Sequence, residues 1–403
     1  MSEVTHAGPL TGVRVIEVGN FMAGPFCCMQ LADLGADVIK VENPAGGDMV
    51  RETGPFIDGE SANFVRLNRN KRSLALDLKS QAGKEVFNRL VAESDILVEN
   101  LRPGTMRELA LDYQRLSDIN PRLIQVSASG WGQDGPYSAL AGLDIMAQAM
   151  SGLMSITGTE GGELVKVGVP VADLVCALYG ALAAVAALRA REMTGRGQLI
   201  DVCLLESAVS LSIWEAGKYF TTGEVPRPLG SAHQTSAPYQ AVRAADGRFT
   251  LGASTPRNWS ALCQALALER LEFDVRFVSN ALRHSNRAAL IALIEEVTLT
   301  GPTQHWVSVL QHAGVPCAPI QDFGQVFNDH HLVARDFFPE APHSLLGPIR
   351  QIRSPMRLSE TFTRMDWAGP LLGQHTKEVL EELGFDRAQV KSLSDRGVTA
   401  VAR

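Results

Sequence analysis

The feature that most constrains this chain is a strand–helix–strand alternation that starts at residue 13 and runs through its first half. Residues 13–18 are a β-type run closed by Gly19-Asn20, residues 23–34 read as a helix stopped by Gly35, and 37–41 read as the next strand. That is the spacing of a right-handed parallel unit. The pattern continues with a strand at 73–78, an amphipathic helix at 81–93 and short buried strands at 96–99 and 123–127. An open, largely parallel α/β sheet follows. Helices at 143–153 and 173–191 come next, then a turn, Thr194-Gly195-Arg196-Gly197-Gln198, that leads into a strand at 199–203.

Residues 222–230 carry two prolines and two glycines and read as a linker, after which the pattern changes. A short strand at 249–251 is followed by helices at 259–267, 287–296 and 303–312, the signature of a smaller α+β domain. The chain closes on a helix at 376–383. With 403 residues it is too long for one simple core. The expected division is a large domain begun by 1–224, a small α+β domain over 225–325, and a return segment, 326–403, that completes the large domain.

Composition narrows the function classes. Hydrophobic residues make up 45% and charged residues 20%, an ordinary globular balance. A net charge of −7 disfavours nucleic acid or a membrane surface as a partner, while leaving room for a local basic patch that holds a polyanion. Cys27, Cys28, Cys176, Cys203, Cys263 and Cys317 form no CxxC pair and read as reduced, packed thiols of a cytoplasmic protein. The first six residues lack a secretory pattern. The longest apolar stretch, 174–188, is shorter than the roughly 20 residues of a membrane span and reads as a buried helix.

Several local patterns carry candidate chemistry. Gly130-Trp131-Gly132-Gln133-Asp134-Gly135 matches a dinucleotide fingerprint. Pro136 and Gly142 follow too closely for a helix to open on its third glycine, so a structural turn is expected. No phosphate loop, HExxH or EF-hand pattern occurs, and the adjacent His330-His331 pair is poorly placed to share an ion, so no metal site is expected. Asp173 lies between a proline-containing segment and an apolar helix. It reads as an N-cap, and a carboxylate at a helix N-terminus stays ionised, the form a nucleophile needs. Asn68-Arg69-Asn70-Lys71-Arg72-Ser73 is a compact basic cluster, either a solvated loop or a seat for phosphates.

Taken in order, several segments resemble the class III CoA-transferases, the family that includes formyl-CoA transferase. They are Pro9-Leu10-Thr11-Gly12-Val13-Arg14-Val15 with Ala23-Gly24-Pro25, Leu34-Gly35-Ala36-Asp37-Val38-Ile39-Lys40-Val41-Glu42, and Gly47-Asp48. The Asn68–Ser73 cluster, Val98-Glu99-Asn100-Leu101-Arg102-Pro103-Gly104, the glycine-rich turn at 130–136, Thr194–Gln198 and Pro370-Leu371-Leu372-Gly373-Gln374-His375-Thr376 extend the match over almost the whole chain. The resemblance implies an interlocked homodimer with a Rossmann-like large domain, built from both ends of the chain, and a smaller domain between. It implies coenzyme A or acyl-CoA as substrate, with no tightly bound cofactor, and small carboxylic acids as the other partners.

The resemblance also implies a site. The family's nucleophilic aspartate falls on Asp173. Its CoA contacts fall on Met22, Ala23, Asn43, Leu76, Lys79, Asn100, Leu101, Arg102, Ala141 and Asp144, with Arg72 and Arg107 as further cationic contacts. Met22 stands where formyl-CoA transferase has a glutamine, Asn43 where it has an arginine, and its glycine-rich shielding loop has no counterpart. Gly230-Ser231-Ala232-His233 and Pro238-Tyr239-Gln240 instead resemble the branch that includes succinate–hydroxymethylglutarate CoA-transferase. Succinyl-CoA as donor and a dicarboxylate or sulfinate as acceptor follow as expectations.

The expected mechanism runs through a mixed anhydride and an aspartyl-CoA thioester on Asp173, with backbone N–H groups beside it holding the oxyanions and residues near His233–Gln240 acting as a lid. An α-methylacyl-CoA racemase is the closest rival. It needs an acid/base pair, and its histidine falls on Leu143, which cannot carry a proton. A non-catalytic acyl-CoA-binding protein and a nicotinamide-dependent dehydrogenase are more distant rivals.

Overall fold

The computed structural model describes residues 8–402. Contacts divide the chain into two compact units, one comprising the chain to Leu153, Val167–Ser212 and His330 onward, the other Met154–Lys166 and Ile213–Asp329. This grouping differs from the sequence division. The second unit starts at Ile213, ahead of the Pro/Gly segment, and takes in 154–166, where Gly230 N–H donates to Gly158 O at 2.9 Å.

The first unit is built on strands β1 (Arg14–Val18), β2 (Asp37–Glu42), β5 (Lys71–Leu76), β6 (Ile96–Glu99), β7 (Ile124–Ser129) and β8 (Leu199–Cys203), with β3 (Phe56–Ile57) and β4 (Glu60–Ser61) as a small hairpin. The sheet order is β14-β5-β2-β1-β6-β7-β8, and all neighbours are parallel except β14 (Thr399–Ala400), which pairs antiparallel with β5. Alternation along each strand supplies two cores. Ile16, Val18, Ile39, Val41, Leu74, Leu76 and Leu97 face helices Gln81–Ala92, Thr376–Glu382 and Arg387–Asp395. Val15, Val38, Ile96, Val98, Ile124 and Val126 face helices Ala23–Asp33 and Val171–Thr194. A further hairpin, β12 (Glu340–His343) with β13 (Gly347–Arg350), packs on Val65.

The same alternation places three charged residues side by side under the Ala23–Asp33 helix: Glu17, Lys40 and Lys71, from β1, β2 and β5, all fully buried. They survive there because they neutralise one another. Glu17 lies 2.5 Å from Lys40 and 2.7 Å from Lys71, and Lys40 also meets buried Asp48 at 2.9 Å. Burial alone raises the Glu17 pKa, but the two lysines outweigh it and hold the carboxylate below its ordinary value.

The Val171–Thr194 helix has 24 residues, so it extends past 174–188 at both ends. By length and composition alone it is apolar enough to cross a membrane. A single such helix is weak support for a span. One face of it, Ala177, Ala181, Ala184 and Ala187, packs on the sheet, and a Cβ at Gly180 would sit 3.3 Å from Cys27 and from Val126. The opposite face exposes Leu178, Leu182, Val185 and Met193.

The second unit carries a three-stranded antiparallel sheet, β11-β10-β9, from Tyr239–Ala244 (β9), Gly247–Gly252 (β10) and Cys317–Pro319 (β11). Phe249, Leu251, Trp259, Leu262, Leu290, Ile294 and Leu310 make its core. Buried Arg283 ties loops together by donating to Ala237 O, Phe277 O and Ser254 O.

Candidate active site

Strand order decides where a ligand finds room. From β1 the chain steps to β2 and β5 on one side, then crosses back to add β6, β7 and β8 on the other. The switch point lies between β1 and β6, and ligands of open α/β sheets bind beyond the carboxyl ends of the strands there. The loops at that crevice are residues 19–22 after β1 and 100–102 after β6. They are locked together: Asn100 Oδ1 accepts from Asn20 N–H and Asn100 Nδ2 donates to Asn20 O, each at 2.9 Å. A Cβ at Gly19 or Gly24 would lie 2.6 or 2.9 Å from Asn100 Oδ1, so glycine is required at both. The buried charges below hold the same loop, since Lys40 donates to Gly19 O at 3.0 Å and Lys71 to Pro25 O at 2.8 Å, while Asp48 Oδ1 accepts from Phe21 N–H at 3.2 Å.

Asp173 lies toward the same edge, on the sheet face that carries both helices. The Val171–Thr194 and Ala23–Asp33 helices both descend from the carboxyl edge and pack together, with Gly180 against Cys27. One turn above Cys27 lie Ala23 and Gly24. Asp173 precedes Cys176 by one turn, so it opens onto the level of the β1 loop. Asp173 is not the N-cap expected from sequence. Pro170 holds the cap position and Asp173 is the third residue of the helix. The capping carboxylate is Asp144, whose Oδ1 accepts from Ala172 N–H at 2.8 Å and Asp173 N–H at 3.4 Å. Those N–H groups are therefore engaged by Asp144, which corrects the expectation that they hold an oxyanion. Asp144 Oδ2 accepts from Gln148 Nε2 at 2.7 Å, and buried Gln148 accepts from Val167 N–H at 2.9 Å. The expectation of a firmly ionised Asp173 is corrected too: burial first, then the Asp144 carboxylate, push its pKa up to about 7. A second acid at the crevice, Glu99, is pushed up to about 7 by burial, against hydrogen bonds from Ser127 and from Leu101 N–H at 2.9 Å.

The other candidate residues divide by exposure. Asn43, Lys79, Arg102, Arg107 and Ala141 are exposed, Met22, Asn100, Leu101 and Asp144 are half-buried, and Ala23 is buried. Leu76 turns its side chain into the core, and its backbone pairs with β14. Arg72 is neither in a solvated loop nor open to a phosphate. It is buried in β5 and donates to Asp37, Glu378 and Glu382 at 2.6–3.2 Å. The rest of the basic cluster is also turned inward, Arg69 on Asp33 and Lys71 on Glu17. The glycine-rich segment at 130–135 is a turn. No helix opens before Asp144–Met150, and Gly130 and Gly142 touch so closely that a Cβ on either would lie within 2.9 Å of the other's Cα. No group of three metal-ligating side chains occurs among the described residues.

A sequence model of CoA-transferase family III matches residues 10–376. The chain belongs to that family. It is a CoA-transferase, and CoA thioesters are the substrates of such enzymes. Succinyl-CoA:glutarate CoA-transferase of Mus musculus is 37% identical over 399 residues, covering 98% of this chain and 92% of the relative. Succinyl-CoA:mesaconate CoA-transferase of Haloarcula marismortui is 36% identical over 96% of this chain and all of the relative. Acetyl-CoA:oxalate CoA-transferase of Acetobacter aceti is 35% identical over 89% of this chain and 92% of the relative, so identity alone does not choose the acceptor. The crystal structure of a CAIB/BAIF family protein from Brucella suis superposes with a TM-score of 0.83 at 37% identity, covering 94% of this chain and all of that one.

Sequence reasoning missed how the CoA-transferase site is held. Asp144 and Gln148 stand at i and i+4, a pairing visible in sequence, but their targets, the helix end at Ala172 and the preceding Val167, lie 28 and 19 residues further on. Lys40 and Asp48 were legible only as parts of family segments, and Asn20 only as the end of the first strand.

Proposed function

We propose that this enzyme transfers CoA from succinyl-CoA to a small dicarboxylate or sulfinate, with Asp173 as nucleophile. The observation that carries this reading is Asp173 itself, an acid raised to about 7 at the carboxyl edge of a parallel sheet, one helix away from the switch-point loops. Carboxylates of high proton affinity are the stronger nucleophiles, provided enough of the ionised form is present, and a pKa near the working pH supplies both. Asp173 attacks the succinyl carbonyl and CoA leaves as thiolate, giving an aspartyl–succinyl anhydride. The thiolate then attacks the aspartyl carbonyl and succinate leaves, giving an aspartyl-CoA thioester. The acceptor carboxylate takes the reverse path. Relatives named for succinyl-CoA with glutarate or mesaconate support the donor and the acceptor class.

The residues proposed to meet CoA are Met22, Ala23, Asn43, Lys79, Asn100, Leu101, Arg102, Arg107 and Ala141, of which the β1 and β6 loops have the strongest support. Asp144 acts beside them by holding the nucleophile's helix. The enzyme works as an interlocked homodimer, a reading supported by the exposed apolar face of the Val171–Thr194 helix. A cytoplasmic setting is supported by six free thiols.

The test is chromatographic. Purified enzyme is incubated with succinyl-CoA and glutarate, mesaconate, citramalate, malate, itaconate, oxalate or 3-sulfinopropionate, with Asp173→Ala in parallel. New acyl-CoA from the wild type alone supports the proposal and names the acceptor. Equal exchange by Asp173→Ala would remove Asp173 from the mechanism. Sedimentation velocity gives the oligomeric state.

A further inference from the structure

One residue at the crevice combines strain with exposure. Phe21 has φ of +61°, the left-handed region that a bulky side chain adopts at a cost. Such a conformation persists only where the surroundings impose it, and it marks functional positions. Here the surroundings are explicit. Asp48 holds the Phe21 N–H, Asn100 holds both backbone groups of Asn20, and Lys40 holds Gly19 O. Lys40 and Asp48 are fully buried and paired at 2.9 Å, so the clamp is part of the core. The strain brings no packing in return, because Phe21 is left 49% exposed at the mouth of the switch point, next to Met22 and Ala23 and at the level of Asp173.

We propose that Phe21 is a substrate-contacting residue, its ring forming an apolar wall for the thioester end of an acyl-CoA and keeping water from Asp173. The inference rests on the CoA-transfer reading above. A bound acyl-CoA would cover the exposed ring, which accounts for a buried ion network being used to display it. Water exclusion matters to this chemistry. A water oxygen that adds to the anhydride carbonyl breaks the acyl–oxygen bond, leaving the Asp173 carboxylate and succinate. One that adds to the aspartyl-CoA carbonyl breaks the carbon–sulfur bond, leaving the carboxylate and CoA thiol. Either course turns transfer into hydrolysis of succinyl-CoA to succinate and CoA.

The test compares Phe21→Ala, Phe21→Gly and Phe21→Leu with the wild type in three assays: KM for succinyl-CoA in transfer, thiol release from succinyl-CoA without acceptor, and binding of free CoA and succinyl-CoA by calorimetry. Phe21→Ala and Phe21→Gly are expected to raise KM about tenfold, the loss of one partly covered aromatic contact. They are also expected to raise acceptor-free thiol release relative to transfer, while Phe21→Leu keeps most of both. Glycine takes a positive φ freely, so the melting temperature of Phe21→Gly is expected not to fall. Weaker substrate binding in a protein no less stable is a signature a merely structural phenylalanine does not give. Unchanged KM and unchanged thiol release in folded Phe21→Gly and Phe21→Ala overturn the proposal. If the wild type transfers nothing yet the variants bind succinyl-CoA more weakly, the contact stands and the transfer reading falls.

Discussion

Replacing Asp173 by asparagine is expected to abolish transfer and, at neutral pH and above, to stabilise the fold. The folded protein raises the acid from its ordinary 3.8 to about 7, so the native state binds this proton more tightly than the unfolded chain does. The sign follows from linkage. Below pH 3.8 the carboxyl is protonated in both states and costs nothing. Between 3.8 and about 7 the unfolded chain releases the proton first and stability declines, and above about 7 the whole cost is present. At 1.36 kcal/mol per tenfold change in proton affinity, the cost is roughly 1.5 kcal/mol at pH 5 and roughly 4 kcal/mol at pH 8. Residual contact with water trims the upper figure. Asparagine carries no charge in the same volume and removes the cost. Urea unfolding of both proteins at pH 5 and pH 8, at one protein concentration, reads the difference. The reasoning is refuted if the advantage of Asp173→Asn does not grow between the two pH values.

Three further outcomes follow from the same site and its supports. The kcat/KM of the wild type is expected to rise with pH through an apparent pKa of about 7 as Asp173 ionises, and Asp144→Asn, which removes the second cause of the shift, is expected to move that limb to lower pH. A pH–rate profile of each protein decides this. Lys40→Met leaves buried Asp48 without its cation and Glu17 with Lys71 alone, and is expected to cost about 3–5 kcal/mol in urea unfolding, part of it recovered when Asp48→Asn is added. Gly142→Ala puts a methyl 2.9 Å from Gly130 Cα, displaces the segment that ends in Asp144, and is expected to lower kcat severalfold with little change in far-UV circular dichroism.

The regular elements of the parallel sheet were legible because their signal is local. Strands 96–99 and 199–203 and helix 303–312 have the bounds read from sequence, and most other elements shift by one to three residues. What failed was nonlocal. Asn68–Ser73 looks the same whether its charges await phosphates or face carboxylates, and the partners that decide, Asp33, Asp37, Glu378 and Glu382, are read only once the sheet is assembled. Asp173 behind a proline-containing segment has the pattern of an N-cap. The helix starts two residues earlier because Asp144, from a separate helix, does the capping. Phe21 carries no sequence signal, because left-handed backbone at a phenylalanine is imposed by tertiary contacts alone.

The pairing of β14 with β5, and of Arg72 with Glu378 and Glu382, has a consequence for how the protein is made. Glu378 leaves the ribosome 306 residues after Arg72. At about 5–20 residues per second, that is on the order of 15–60 s during which β5 presents an open edge and Arg72 has Asp37 but neither glutamate. During that interval the nascent chain is open to strand addition by other chains, so cells making this enzyme at high rate are expected to need a chaperone at the β5 edge until the last few dozen residues emerge.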